Sequence, residues 1–374
     1  MTDIEISGYT APGFEPVRES FEENFAEGLE LGAGFAAYLD GELIVDLEGG
    51  FTDRKKATPW TPDTLVPVYS VSKGISALIV ARLVDQGKLN YDTRLAHYWP
   101  EFGAHGKDKM TVAEALSHQA GVPGFAAPIN PALWLDPPAL AARLAEEPPM
   151  WTPGTGSGYH PTSWGYLVGE LVWRVSGRTL GTILREDICA PLDIDFHIGL
   201  PPEEHDRVAG LKRPTAMPDL GEITDEARTA FLTKWASAPR AGAQWREIEI
   251  PSANGHGTAP GVARLYSAYA NRGKIGALTL FGEDTFKALC KPRSSGKDRV
   301  LPFDMVFAAG IMQNSNLAFG PNRDSYGHSG WGGSAAFGDP DRSLSGAYVM
   351  NRQSNILLGD PRSKRLFASL YACL

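Results

Sequence analysis

Along this chain the apolar residues fall into strand-like runs near the two ends, with helical or irregular patterns between them. Residues 14–26 can form an amphipathic helix. The runs 35–39 and 43–47 flank Asp40-Gly41, a pair suited to the positive φ angles of a two-residue turn, and predict a β-hairpin. Val71, Ile75, Leu78, Ile79 and Leu83 follow helical spacing, and Ala77, Val80, Ala81 and Val84 make the remaining faces apolar too. A helix that is apolar all round is a buried one, and Gly87 is its natural stop. Thr111-Val112-Ala113-Glu114 is a capping box that opens a helix running through Leu116 and His118 and ending near Gly121. The proline-rich stretch 128–153 reads as loop with a short helix near 140–144, and 164–175 reads as a helix closed by Gly177. The polar stretch 201–251 is irregular apart from a helix near 225–235, and suits a lid or substrate loop. Beyond it come a helix at 261–270, strands at 305–312, 334–337 and 346–350 with a turn at Asp339-Pro340-Asp341, and a last helix over 364–374.

Strands at both ends and helices between them predict an α/β chain of the α+β type. Its antiparallel sheet is built from both termini and flanked by helices, with a mainly helical insertion. The expected division is a sheet domain of 1–95 and 258–374, and an insertion over 96–257 that carries the substrate or lid loops. With 374 residues, 43% of them hydrophobic, the chain can bury a large core without cofactors or disulfides. Cys189, Cys290 and Cys373 are few, odd in number and far apart, which leaves no disulfide framework and no C-x-x-C site. The net charge of −9, with no long Lys/Arg run, argues against nucleic acid or an anionic membrane as partner and for a small molecule. The start, Met1-Thr2-Asp3-Ile4-Glu5-Ile6, has neither a basic nor an apolar leader region, and no stretch approaches the ~18 apolar residues of a membrane span. A soluble, cytoplasmic protein is expected. Its oligomeric state is not indicated.

The chemistry enters at Ser70-Val71-Ser72-Lys73, an S-x-x-K sequence at the head of the buried helix. Residues three apart share a helix face, roughly 5–6 Å apart at Cβ, so the Lys73 amine can reach the Ser70 hydroxyl. The unpaired N–H groups of the first turn favour a developing oxyanion and disfavour a protonated lysine beside it. Both effects suit a serine nucleophile with a neutral amine as proton acceptor. The pattern alone is weak, because Ser294-Ser295-Gly296-Lys297 repeats it in a Pro/Gly/charged stretch that reads as loop. There is no G-x-S-x-G elbow, H-E-x-x-H, P-loop or G-x-G-x-x-G, so no cofactor or metal is expected. His205-Asp206 reads as part of a solvated charge cluster.

Three motifs in order raise the specificity. Ser70-x-x-Lys73, Tyr159 in Gly158-Tyr159-His160-Pro161, and His328-Ser329-Gly330 before a Gly-rich strand resemble the motifs of the serine β-lactamase and penicillin-binding-protein family. The likeness is closest to class C β-lactamases and family VIII carboxylesterases. It spans roughly 35–352, including Leu116-Ser117-His118-Gln119-Ala120-Gly121 and Ile250-Pro251-Ser252-Ala253-Asn254-Gly255. The resemblance implies that Ser70, Lys73 and Tyr159 are catalytic. His328, Ser329, Gly330 and Trp331 would line the substrate strand, with the backbone N–H groups of Ser70 and Trp331 as oxyanion donors. Trp331-Gly332-Gly333 also resembles a W-G-G motif of these esterases, offset from where His328 would align. His118 and Asn254 are expected to hold turns, and Trp134, Trp151, Trp235 and Trp245 are candidates for an acyl pocket or for packing loops.

Two departures from the family pattern bear on the substrate. The third motif usually begins with lysine, a fixed charge for a substrate carboxylate, where this chain has His328. The residue two after the tyrosine is commonly an asparagine that contacts the substrate amide; Pro161 has no such side chain. Losing the lysine also removes a charge that would favour a phenolate at Tyr159, which makes Lys73 the principal base and leaves His328 to polarise Tyr159 or contact substrate. The expected activity is hydrolysis of a small carboxylic ester through an acyl-enzyme. A β-lactamase or D-amino-acid peptidase, an acyltransferase, and a penicillin-recognising protein without turnover are the rival readings.

Overall fold

The computed structural model describes residues 4–237 and 242–374. Met1-Thr2-Asp3 and positions 238–241 of the polar stretch lie outside the described residues.

A nine-stranded sheet forms the backbone of the molecule, every neighbouring pair antiparallel. Its order is Ile6–Thr10, Glu42–Gly50, Gly32–Leu39, Leu344–Met350, Ala335–Asp339, Tyr326–Ser329, Met312–Gln313, Asp304–Phe307 and Ser294–Lys297. The expected sheet built from both termini is therefore present, closed where Phe35 pairs with Tyr348. The first hairpin turns at Asp40 and Gly41, with φ of 52° and 87° as a two-residue turn requires. Helices Glu15–Ala26 and Pro361–Ala372 cover one face, and Ala259–Ala270 with Val71–Asp85 the other. Thr111 and Glu114 form the predicted capping box, and the helix Ser163–Ser176 ends at Gly177 with φ 69°. Among the described residues no helix is long and apolar enough to cross a membrane.

Four local expectations need correction. The apolar run 305–312 is two strands, Asp304–Phe307 and Met312–Gln313, joined by a hairpin whose Gly310 adopts φ 95°. An unbroken apolar run hides such a turn because the turn itself is buried: a Cβ at Gly310 would lie 2.9 Å from that of Ala77 and 3.0 Å from the Trp164 ring. The second S-x-x-K copy, Ser294–Lys297, is an edge strand and not a loop, paired through Ser294 to Phe307. The helix near 225–235 is a short turn, Asp225–Ala227, that widens into a π-helical turn over Arg228–Leu232. The helix opened by the capping box is Val112–Leu116 and stops at Ser117, whose hydroxyl turns back onto the Ala113 carbonyl. A small sheet was not foreseen: Gly255–Gly257 joins Val66–Pro67 to Phe196–Ile198, and so brings the 250–255 segment against the residues that precede Ser70.

Candidate active site

Ser70 stands immediately before the helix Val71–Asp85. The residue before it, Tyr69, has φ 50°, a left-handed conformation that costs a bulky residue on the order of 1 kcal/mol or more. The fold imposes this bend by fixing the helix behind it. Tyr266 Oη donates to the Val71 carbonyl (2.8 Å) and Tyr269 Oη to that of Gly74 (2.7 Å). Gly74 admits them, since a Cβ there would lie 2.3 Å from Tyr266 Oη. Ser72, inside the motif, donates to the Tyr69 carbonyl at 2.5 Å and accepts from Gly255 N–H at 3.0 Å.

Lys73 is fully buried. Its Nζ donates to the carbonyls of Pro161 (2.7 Å) and Ser252 (3.1 Å) and lies 3.2 Å from Ser70 Oγ. Burial pushes its pKa well below the usual 10.5. A neutral amine has two N–H groups and one lone pair; with both hydrogens spent on carbonyls, the lone pair faces the Ser70 hydroxyl. Asn254 shapes the turn that presents Ser252, accepting from Ile250 N–H at 2.8 Å and donating to the carbonyls of Trp245 (2.8 Å) and Ile248 (2.6 Å). Ser252 Oγ in turn donates to the Thr162 carbonyl at 2.8 Å, tying this turn to the Tyr159 segment.

The Tyr159 phenol also meets Ser70. Burial raises its pKa, against the pull of the Ser70 hydrogen bond, so it stays a neutral donor. Its backbone N–H is held by Asp298 Oδ1 at 2.9 Å, an oxygen that also accepts from Val300 and Leu301. Its ring rests against His118, which sits at φ 65° and accepts the His160 N–H on Nδ1 at 3.2 Å. His118 thus holds a turn, as Asn254 does.

His328 lies beside Tyr159, ring centroids 6.0 Å apart. Burial, with Lys73 nearby, lowers its pKa to about 3, so it is uncharged at neutral pH. Its Nδ1 is 2.8 Å from the Ser329 carbonyl, an acceptor only, which fixes the proton on Nδ1 and leaves Nε2 an acceptor without a partner. Gly330 lets this strand end lie on the segment that leads into Ser70: a Cβ there would be 2.2 Å from the Val68 carbonyl.

Ser70, Tyr159, His328, Ser329, Gly330 and Trp331 all line one cleft of about 60 Å³, with Lys73 beneath it. Sequence reasoning missed the apolar wall, to which Phe231, Leu301, Phe303, Met312, Leu357 and Leu358 contribute. None stands in a motif, and they arrive from four separate stretches of chain. Trp134, Trp151, Trp235 and Trp245 do not line this cleft. The first three spend their indole N–H groups on the carbonyls of Trp235, Gly156 and Phe125 respectively, and Trp245 packs against Tyr69. Asp298 was also missed; only its position just past the second S-x-x-K copy could have drawn attention to it. Among the described residues no three His, Cys, Asp or Glu side chains converge to hold a metal ion, and His205 lies in a turn whose Arg207 pairs with Glu204 and Asp195.

A large antiparallel sheet with flanking helices and a serine beside a buried lysine define a serine hydrolase of the β-lactamase and penicillin-binding-protein fold. The family model for β-lactamases matches residues 21–368, and the chain belongs to that family. It is 33% identical over 361 residues to the esterase/β-lactamase LipL of Mycobacterium tuberculosis, covering 93% of this chain and 83% of LipL. A penicillin-binding-protein homologue from Caulobacter crescentus superposes with a TM-score of 0.97 at 52% identity, over 99% of this chain and 100% of that one. A family VIII carboxylesterase superposes with a TM-score of 0.92 at 39% identity, over 99% and 100%.

Proposed function

We propose that the protein is a carboxylesterase that works through an acyl-enzyme on Ser70. The observation that carries this reading is the 3.2 Å approach to Ser70 Oγ of the buried Lys73 amine, whose pKa burial holds well below its ordinary value, in a cleft whose described lining side chains include no Lys or Arg. Ser70 Oγ attacks the ester carbonyl as its proton passes to Lys73. The backbone N–H groups of Ser70 and Trp331 take the oxyanion. The carbon–oxygen bond to the alcohol breaks, its oxygen takes the Tyr159 proton, and Lys73 returns the proton it holds to Tyr159. Water then attacks the acyl carbonyl, gives its proton back through Lys73, and releases the acid and free Ser70.

Hydrolysis is favoured for esters over β-lactams or peptides for two reasons. An alkoxide leaves more readily than an amide nitrogen, so the neutral Tyr159 phenol suffices as donor. A β-lactam or peptide carboxylate finds His328, uncharged, and a substrate amide finds Pro161, whose carbonyl is committed to Lys73. The family VIII carboxylesterase and LipL support the same reading by similarity. Turnover of 4-nitrophenyl acetate and butyrate measured beside nitrocefin tests it: ester turnover is expected to dominate, and nitrocefin turnover at a comparable kcat/KM would make the protein a β-lactamase instead.

The small apolar cleft also sets a chain-length limit. Phe231 packs against Trp331, ring centroids 5.9 Å apart and planes tilted by 32°, and both rings line the cleft. Phe231→Ala is expected to move the preferred 4-nitrophenyl ester from acetate or butyrate to chains at least two carbons longer. Each added methylene that the enlarged cleft covers contributes about 0.8 kcal/mol, roughly fourfold in kcat/KM. An unchanged chain-length profile would remove Phe231 from the acyl pocket.

A further inference from the structure

The Phe231–Trp331 wall has a second side. Tyr69, Phe231 and Trp331 line the nucleophile's cleft on one face and a wider cavity of about 430 Å³ on the other. Arg213 and Gln353 stand in the lining of that cavity, and two further recesses adjoin it at Tyr69 and Arg213. Six cations border this mouth; Arg362 is ion-paired with Glu30 and Asp360, and the other five are Arg54, Lys212, Arg213, Arg246 and Arg352. The chain as a whole carries a net charge of −9, so a local excess of positive charge is not what its composition predicts.

These five are not neutralised by the fold. Among the described residues none of the five takes part in an ion pair. The one acid that borders the three recesses, Asp360, is buried and already paired with Arg362. Backbone carbonyls orient three of the guanidinium groups while leaving them donors to spare: Arg54 Nη2 donates to Leu211 at 2.9 Å, Arg246 Nη1 to His205 at 3.5 Å and Arg352 Nη1 to Gly28. A planar guanidinium with free N–H groups is matched by a carboxylate or a phosphate, and a cleft bordered by one sign of charge concentrates the opposite ion.

We propose that this mouth is an anion subsite, and that the substrate is an ester whose short apolar half fills the closed cleft while its other half carries a carboxylate or phosphate toward Arg213. The proposal rests on the ester-hydrolase reading above. It also separates two features the family joins: the cation absent at His328 is not replaced inside the cleft, and the positive charge stands instead on the outer side of Trp331.

Three anionic esters, each beside a neutral isostere, test it. 4-Acetoxybenzoate and its methyl ester place the charge on the alcohol half, 4-nitrophenyl hemiglutarate and its methyl ester place it on the acyl half, and 4-acetoxyphenyl phosphate beside phenyl acetate separates phosphate from carboxylate. Rates are normalised to alkaline hydrolysis of the same ester. At least one anionic ester is expected to exceed its isostere in kcat/KM by about tenfold at low salt, with the advantage mostly lost in 0.5 M NaCl and reduced about threefold or more by Arg213→Gln. The isosteres winning throughout, or an advantage indifferent to both salt and Arg213→Gln, overturns the subsite. Binding of 4-hydroxybenzoate to Ser70→Ala, followed by tryptophan fluorescence with and without Arg213→Gln, keeps the two readings apart. Arg213-dependent binding without turnover of any ester sustains the anion subsite and sinks the esterase. Ester turnover without such binding does the reverse.

Discussion

Ser70→Ala lowers kcat for 4-nitrophenyl acetate by about 10⁵-fold or more, leaving only what the rest of the cleft contributes over water. The loss is this large because the groups around Ser70 act as a unit: the Lys73 lone pair and the Tyr159 phenol both meet the same oxygen. With that oxygen gone, neither has a nucleophile to activate. Stability should change little, since Ser70 is half-buried and the helix behind it is held by Tyr266 and Tyr269. The matching control is Ser294→Ala in the second S-x-x-K copy, an edge strand whose serine reaches only the Ser117 carbonyl at 3.4 Å; its turnover should equal wild type. Burst kinetics and mass spectrometry of the acylated enzyme check the same assignment, and an acyl adduct anywhere but Ser70, or activity above about 1% in Ser70→Ala, defeats it.

Lys73→Met lowers kcat by about 10²–10⁴-fold, the usual worth of a positioned base. It also gives a stability signature that activity cannot give. In the unfolded chain Lys73 holds its proton up to about pH 10.5, while burial in the fold keeps its pKa well below that value. Between the two pKa values the unfolded state binds one proton more, so folding stability rises with pH by about 1.4 kcal/mol per unit. Methionine carries no proton. The stability of wild type relative to Lys73→Met therefore increases as pH is raised, and levels off above 10.5. Urea unfolding of both proteins across that range measures it. A difference that stays flat with pH means that Lys73 is a charged ammonium in the fold, and removes it as the resting proton acceptor. The other titratable groups packed around Lys73 are Tyr159, which burial holds above its ordinary range, and His118, His160 and His328. The histidines are held below their ordinary range chiefly by burial and in smaller part by Lys73 itself, so they titrate below the range that is compared.

Periodicity made the helices around the site legible. The buried Ser70 helix, the Thr111 capping box and the Gly177 stop are local patterns, and local hydrogen bonds and burial are enough to produce them. Most strands near the sheet centre were legible for the same reason; the failures are the strand Tyr326–Ser329, too short to show an alternation, and Gly310, where a buried turn left no polar mark. The chemistry of the site was legible only where it follows the chain: Ser70 to Lys73 is one helical turn, and Tyr159 and His328 stand in short motifs. Asp298, Ser252 as the acceptor for Lys73, and the apolar wall of Phe231, Leu301 and Leu358 have no such mark, because each acts across a contact between distant segments.

By itself the sequence determined which residues are the candidates for the chemistry, the antiparallel sheet shared by the two termini, and the presence of His328 where the resembled family usually has a lysine. Those are properties of residue type, order and local spacing. The tertiary structure alone decided the state of these residues. Burial pushes the Lys73 pKa well down because the Pro161 and Ser252 segments enclose it, His328 Nε2 is an acceptor because the Ser329 carbonyl claims the ring's only proton, and the cleft gains part of its apolar wall because Phe231 crosses from the middle of the chain to pack against Trp331. Burial and hydrogen-bond partners set charge and tautomer, and both depend on neighbours in space, which no spacing along a chain records.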